Sequence, residues 1–304
     1  MNGPQISVIM LTYNRENMVS HMIECILKQT FKDFQFVIIN NGSSDRSGEI
    51  AEEYAKKDSR IKVVHLTTSN ISRGRNVGLD NATGKYIAFV DDDDECDEDF
   101  LEFLYNLITE NDADVAICGT SLKNFDEKLI MSNEDAIETL LWRKYYNVGF
   151  PTKLIKSNLF IKNRFIETTK YDDIYLAPKI LADSQTIVYY GLPKYIVNRH
   201  ENNNSAWTQN HKLLDKATLK EYLEVYKNRT SYLCEKFPTK KSTWEYFNWS
   251  FMISMVEKVV RLELPDCEEE LEYMKKELTS NKEKFLKCPE ILDFEIEWVK
   301  EYIS

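Results

Sequence analysis

Five consecutive acidic residues, Asp91-Asp92-Asp93-Asp94-Glu95, follow directly on the apolar stretch Tyr86-Ile87-Ala88-Phe89-Val90. Like charges crowded at the end of a buried strand repel one another unless a cation neutralises them. Oxygen-only ligands suit Mg2+ or Mn2+, ions that typically also hold substrate phosphates. A solvated charge run is the competing reading, as is a set of acids favouring a helix N-terminus. The latter accounts for Asp97, Glu98 and Asp99, but not for carboxylates that abut the strand itself.

Three other polar clusters could share a site with the run. Thr12-Tyr13-Asn14 and Asn40-Asn41-Gly42-Ser43-Ser44-Asp45 each follow an apolar stretch. The second also reads as a turn feeding a helix, with Ser44 or Asp45 as the cap. Arg73 and Arg75 lie in Ser72-Arg73-Gly74-Arg75-Asn76-Val77-Gly78, near a helix start. They read either as surface ion-pairing residues or as phosphate-recognising forks. Asp172-Asp173 opens an apolar helical pattern, as helix-start acids or as a carboxylate base. His200 reads equally as a loop histidine, because the four histidines show no ligand spacing.

The elements that must position these groups alternate. Apolar stretches at 6–11, 34–39, 61–66, 86–90 and 114–118 predict strands, buried on both faces. Helical patterns at 16–29, 46–57, 72–82 and 97–111 separate them. Such alternation predicts a mostly parallel sheet covered on both sides, with ligands at the carboxyl ends of its strands. All the polar clusters that follow strands sit at those ends. Residues 187–198 predict two further strands, broken by Gly191 and Pro193. After residue 210 the pattern becomes helical at 211–235, 242–263, 267–286 and 289–303, punctuated by Pro238, Pro265 and Pro289.

Composition bounds the answer. A hydrophobic share of 43% over 304 residues suffices for a large core plus an appendage. A net charge of -11 argues against a partner such as nucleic acid, whose backbone needs clustered Lys and Arg. The six cysteines show no paired spacing, so neither a zinc site nor a disulfide framework is expected, and a reduced, cytoplasmic setting is. No secretory leader and no membrane-length apolar run is visible.

In their order along the chain, these segments resemble the family 2 glycosyltransferases with the GT-A fold. The resemblance covers roughly residues 5–205. It is carried by Ser7-Val8-Ile9-Met10-Leu11-Thr12-Tyr13-Asn14-Arg15, Gln29-Thr30-Phe31-Lys32-Asp33-Phe34, Asn41-Gly42-Ser43-Ser44-Asp45, Arg75-Asn76-Val77-Gly78-Leu79, Ala82-Thr83-Gly84-Lys85-Tyr86-Ile87, Phe89-Val90-Asp91-Asp92-Asp93-Asp94 and Tyr171-Asp172-Asp173. It implies an α/β fold, a Rossmann-like mixed sheet with helices on both faces, as a catalytic domain over 1–209. A C-terminal helical region, 210–304, follows.

The resemblance also implies roles. Thr12, Tyr13 and Asn14 line a nucleoside pocket, and Asn41 reads the base. Asp91 to Asp93 matches the DXD-type signature: Asp92 faces the ribose, and Asp93 ligates Mn2+ or Mg2+ with His200. Arg75 lies near the diphosphate. Asp173 is the catalytic base. The family's usual Asp-Asp before Gly-Ser is here Asn40-Asn41, and an amide both accepts and donates. That widens the bases it could read beyond uracil. The implied activity is inverting transfer of a hexosyl or N-acetylhexosaminyl group from a nucleotide-sugar donor to a glycan, lipid-linked or protein-linked acceptor. Acceptor pockets in this family come from the variable region, here 121–170, and the tail. Peripheral contact with the inner face of a membrane, and a homo-oligomer through the C-terminal helices, are further expectations. A nucleotidyltransferase would need a glycine-rich loop, which Leu11-Thr12-Tyr13-Asn14-Arg15 lacks. A non-catalytic sugar-nucleotide binder is disfavoured by the intact Asp93 and Asp173.

Overall fold

The structure, a computed structural model, describes residues 3–169, 171–198, 208 and 210–303. His200 lies outside them. The chain divides into two compact units, Met1–Asn198 and Arg199–Ser304, against the 209/210 boundary expected from the sequence.

In the first unit, strands and helices alternate as β1 (Ile6–Thr12), α1 (Val19–Leu27), β2 (Phe34–Asn40), α2 (Ser47–Ala55), β3 (Ile61–His65), α3 (Ile71–Asn81) and β4 (Tyr86–Asp91). Then come β5 (Glu95–Cys96), α4 (Phe100–Glu110), β6 (Val115–Thr120), β7 (Lys128–Met131), α5 (Asn133–Trp142), β8 (Lys153–Lys156), α6 (Asp172–Ala182) and β9 (Ile187–Ile196). Among the described residues they make one mixed sheet in the order β3-β2-β1-β4-β8-β6-β9-β5, with β7 also paired to β9. The pairs from β3 to β4 are parallel. Strand β8 runs antiparallel to both β4 and β6, so β6 again points the same way as β4.

Alternate residues of the central strands bury opposite faces. On one face Ile6, Val8 and Met10 pack with Val19, Met22, Ile23 and Ile26 of α1 and with Phe100, Leu101 and Leu104 of α4. On the other, Phe89 meets Phe150, Phe160 and Phe165 edge-on, with ring centroids 5.4, 6.0 and 5.5 Å away. Helix α3 lies unusually close to β1. A Cβ on Gly78 would sit 2.4 Å from Ile9 Cγ2, and one on Gly74 would sit 2.7 Å from Leu11 Cδ2. Those two glycines, one helical turn apart, let the helix descend onto the strand.

Two expectations change. The segment 187–198 holds one ten-residue strand instead of two. Its register against β6 slips between Cys118 and Thr120, opposite Gly191 and Pro193, so these residues bulge the strand without ending it. Within 121–170 the structure also contains β7, α5 and β8, which the periodicity had not resolved.

The second unit is built from α7 (Lys216–Lys236), α8 (Lys241–Arg261), α9 (Glu268–Leu286) and α10 (Asp293–Tyr302). Helix α8 is its centre, with Trp244 and Ile253 fully buried. Phe251 of α8 stacks on Tyr226 of α7 with centroids 3.8 Å apart, and Tyr246 donates to Glu295 of α10 at 3.1 Å. Phe247, Met252, Met255 and Val259 are buried, and Val260 is exposed. Among the described residues no helix is long and apolar enough to cross a membrane.

The α3–β1 contact can be tested. Gly78→Val inserts side-chain atoms where Ile9 already stands, so unfolding free energy should drop by about 1–3 kcal/mol or more. Urea denaturation measures it, and unchanged stability would contradict the close approach.

Candidate active site

Strands β2, β1 and β4 are neighbours whose last residues lie level: Thr12 opposite Asn40 and Leu11 opposite Asp91. The polar segments after them therefore leave the sheet side by side. Three successive backbone N–H groups of the first loop are held by side chains of the second. Asn14 donates to Ser43 Oγ at 3.1 Å, Arg15 to Ser47 Oγ at 2.8 Å and Glu16 to Asp45 Oδ2 at 3.0 Å. In return Asn14 Oδ1 accepts from the Ser44 N–H at 2.9 Å. Asn14 has φ 53°, a left-handed backbone that Asn tolerates better than most residues. Asp45 takes the N–H of Ser47, the first residue of α2, at 2.9 Å. The N-cap itself is Arg46, so neither Ser44 nor Asp45 is the cap expected, although Asp45 bonds the helix start from the position before it. Gly42 has φ 83°, and a Cβ there would lie 3.0 Å from the backbone of Thr68 and Ser69. The turn requires glycine on both counts.

Of the expected nucleoside-pocket residues, Thr12 is 1% and Tyr13 47% exposed, so the tyrosine ring is the accessible surface. The Asn41 side chain is buried and engaged: Oδ1 accepts from the Asn70 N–H at 3.2 Å, and Nδ2 points to Ser69 Oγ at 3.4 Å. It braces the loop ahead of α3.

The acidic run turns back at the end of β4. Asp91 is exposed to solvent at its surface yet has protein packed around it. Desolvation there lifts its carboxyl to about 6; Arg75 opposes the rise, and Asp93 and Asp173 add to it. Asp92 rises to about 7, through burial first, against the Thr12 hydroxyl, with Asp93 and Asp91 adding and Arg15 opposing. Neither Thr12 Oγ1 nor Asp92 Oδ2 is in a well-formed hydrogen bond, although both are buried. Asp94 is buried and also rises to about 7, by desolvation and then by Asp91; the Asn198 N–H donates to it at 2.8 Å. The Asp91 N–H donates to the hydroxyl of the fully buried Tyr195 at 3.0 Å. Among the described ion pairs, Arg15 approaches Asp92 at 3.9 Å and Asp93 at 3.8 Å. Asp97 and Asp99, just beyond, grip Lys194 at 3.5 and 2.7 Å instead of capping α4.

Helix α3 ties this end of the sheet to Asp172-Asp173. Asn76 accepts from the Phe165 N–H at 3.0 Å and donates to the Phe165 carbonyl at 2.9 Å. Asn70 donates to the Glu167 carbonyl and Ser72 to that of Thr169. The strap at 165–169 is thereby sewn onto α3 just before α6 begins. Arg75 lies over the Phe165 ring and pairs with the fully buried Asp172 at 3.3 Å. Arg73 is exposed and turned toward Thr68. Of the two arginines, Arg75 faces the carboxylates. Asp172 rises to about 6, through burial first, with Arg75 and Ser72 opposing. Asp173 is also raised by burial; Arg75, the Ile174 N–H and the buried Lys153 oppose the shift. Asp91, Arg75 and Asp173 thus act on one another electrostatically.

The donor set fits a hard divalent cation. Among the described residues every candidate ligand is a carboxylate oxygen, and Asp92 Oδ2 is buried without a well-formed hydrogen bond. Among the described residues no three His, Cys, Asp or Glu side chains close into a cage. Mg2+-type sites commonly use one or two carboxylates and complete the shell with phosphate oxygens and water.

Sequence reasoning did not single out Arg15, Tyr195, Asn198 or Lys153. Arg15 is adjacent to Asn14 and could have been found. Tyr195 meets Asp91 from 104 positions away and carries no local signal.

The comparisons with known proteins bear on the family and the fold. Residues 7–169, more than half of the chain, match the family model described as Glycosyl transferase family 2. The chain is 31% identical over 231 residues to glycosyltransferase GlyA of Streptococcus pneumoniae serotype 4, covering 69% of this chain and 33% of GlyA. It is 38% identical over 125 residues to the uncharacterized glycosyltransferase EpsJ of Bacillus subtilis, covering 41% and 36%. It therefore spans about a third of the length of those two relatives. Among solved structures, S. aureus TarS 1-349 in complex with UDP-GlcNAc superposes with a TM-score of 0.62 at 19% identity, covering 88% of this chain and 83% of that one. The Pyrobaculum calidifontis mannosyltransferase PcManGT, in complex with GDP-Man and Mn2+, gives 0.56 at 13%, covering 95% and 88%. These two share the GT-A fold with this chain. With strands, loops and acidic run in the family's order and the family model matched across them, the chain belongs to the family 2 glycosyltransferases.

Proposed function

We propose that the chain is an inverting, metal-dependent glycosyltransferase that moves a sugar from a UDP-sugar to a hydroxyl of a glycan, lipid-linked or protein-linked acceptor. The observation that carries this reading is the meeting of two carboxylate sets across Arg75. One set ends β4, and the other opens α6. A leaving diphosphate needs neutralising groups, and an attacking hydroxyl needs a base. The two sets together offer both.

In this reading the exposed Tyr13 ring stacks on the base while Thr12 and Asn14 shape the pocket. Asp91 and Asp92 hold the ribose side. Asp93 holds Mn2+ or Mg2+ with donor phosphate oxygens, and His200 is the protein's further candidate ligand. When bound, the cation supplies Lewis-acid stabilisation of the leaving diphosphate. Arg75, fixed by Asp172 and Phe165, adds a preorganised positive charge beside it. Asp173 takes the acceptor proton as the hydroxyl attacks the anomeric carbon. Burial raises the Asp173 carboxyl and so strengthens it as a base, while Arg75 and Lys153 oppose the rise. The uridine assignment draws on the TarS complex, and PcManGT binds GDP-Man. Asn41, braced against Ser69 and Asn70, has little freedom left to choose between bases. Thermal-shift measurements with UDP or GDP in the presence of Mn2+ separate the two. Stabilisation by UDP is expected, and a preference for GDP would replace the donor assignment.

Two substitutions test the roles. Asp173→Asn should keep UDP-sugar binding while turnover drops by on the order of a hundredfold or more. In the parent protein the acidic limb of kcat/KM should lie above the ordinary Asp range near ~3.9, because this carboxyl is raised. Near-normal turnover in the variant would reject Asp173 as base. Asp93→Ala should abolish Mn2+-dependent donor binding with the fold retained, and calorimetric titration showing unchanged affinity would remove Asp93 from the metal site.

The raised carboxyls also set a stability profile. Asp91, Asp92, Asp94 and Asp172 bind protons more tightly folded than unfolded. Their contribution is complete below the unfolded value of ~3.9 and is lost as pH rises through about 6 to 7. The metal-free protein should therefore melt lower at pH 8 than at pH 5, and Mn2+ should recover more at pH 8. A flat profile in EDTA would contradict the burial of these groups.

A further inference from the structure

Arg15 is the one guanidinium that faces both Asp92 and Asp93 among the described residues' ion pairs. Its position is set by its backbone. The N–H groups of residues 14, 15 and 16 are each bonded to a side chain of the 43–47 loop, and those bonds do not depend on the side chain at 15. The guanidinium is a quarter exposed and approaches the carboxylates at 3.8–3.9 Å. That is close enough for charge attraction and too far for hydrogen bonds. The contact places a positive charge beside both carboxylates without a hydrogen bond from Arg15 to either. Asp92 Oδ2 is buried, with the Thr12 hydroxyl as its neighbour.

A tight, bidentate Arg–carboxylate fork would have locked the arginine in place. A loose counter-charge is instead easily exchanged. We propose that Arg15 stands in for the divalent cation at Asp92-Asp93 when the site is unloaded, and leaves the carboxylates for the donor's phosphate oxygens when cation and nucleotide bind together. The inference rests on the metal-diphosphate reading of the site given above. Its consequence is an ordered preference. The cation alone must compete with a resident positive charge and binds weakly. With the diphosphate present, Arg15 gains an anionic partner, and the competition becomes cooperation. Metal and nucleotide are thereby coupled through one side chain, and each raises the other's affinity by the same factor.

The test is Arg15→Met, which keeps bulk and removes charge. Binding of Mn2+ alone, read from loss of the free-ion EPR signal, should tighten by on the order of tenfold, because a like charge has left the site. Binding of UDP at saturating Mn2+, read by calorimetry, should weaken by about tenfold, because a charge-assisted contact is gone. Opposite signs are the signature. A merely structural role, such as shaping the 14–16 loop, would weaken both. Arg15→Lys restores the charge on an unbranched stem and should return Mn2+ affinity to that of the parent. It also carries the test should Arg15→Met fail to fold, since a Lys variant that bound Mn2+ as tightly as an uncharged site would overturn the proposal. If the parent binds Mn2+ with UDP but Arg15→Met binds Mn2+ no more tightly, the Arg15 inference fails alone. If neither protein binds Mn2+ with or without UDP, the metal reading fails and takes this inference with it.

Discussion

Repulsion among carboxylates at the end of β4 is the constraint around which the first unit is arranged. Burying such groups is costly unless they are neutralised or partnered. The fold answers from four directions. Arg15 comes from the loop after β1, Arg75 from α3, the Tyr195 hydroxyl from β9 and the Asn198 N–H from just beyond it. Each partner belongs to a different element, so the run can hold its shape only if the whole sheet is assembled. What protein groups leave uncompensated shows as carboxyls lifted to about 6 or 7. In the reading proposed here, that unmet demand is what a bound cation would answer.

The same logic explains motif residues that have no chemistry of their own. Gln29 is fully buried. Its amide donates to the Asp97 carbonyl at 2.7 Å and accepts from the Leu101 N–H at 2.9 Å, clamping the corner through which the acidic run passes into α4. Asn76 performs the equivalent service for the 165–169 strap. Gly74 and Gly78 are small because α3 must lie directly on β1 to deliver Arg75 to the carboxylates. Positions that read as a family signature thus divide into those facing the carboxylates and those that brace the elements around them.

Legibility in the sequence followed the strength of local physics. The parallel strands β1 to β4 are short, nearly continuous apolar runs ended by polar clusters, and both features survive in one dimension. Their neighbours β7 and β8 are four residues each, too short to establish a period. Strand β9 misled because Gly191 and Pro193 ordinarily end strands, whereas here pairing to β6 on one side and to β5 and β7 on the other carries the chain through the bulge. Asp91, Asp92, Asp93 and Asp173 stood out by charge against an apolar background. Tyr195 could not, because a buried tyrosine in a strand looks like core until its partner is known. Asn41 was legible as a position but not as an interaction: its type allowed a base contact, and only the fold shows the amide spent on Ser69 and Asn70.

Helix α3 carries the last step. At its first turn Asn70 and Ser72 hold the 167–169 backbone, midway Arg75 pairs with Asp172, and Asn76 holds Phe165. One rigid element thus fixes the distance between the carboxylates of β4 and those of α6, with the helix itself seated on β1 by its two glycines. Between the acidic run and that strap the chain adds to this brace: α5 packs on α6, with Asn133 donating to the Ala182 carbonyl, and Phe150 meets Phe89 and Phe165 edge-on. Strand β8 alone returns to the centre, pairing with β4 and β6 and burying Lys153 within electrostatic reach of Asp173. Lys153 in turn donates to the Asn147 and Gly149 carbonyls, so the spacing of the two carboxylate sets is held from both sides, by α3 and by the segment that leads into β8.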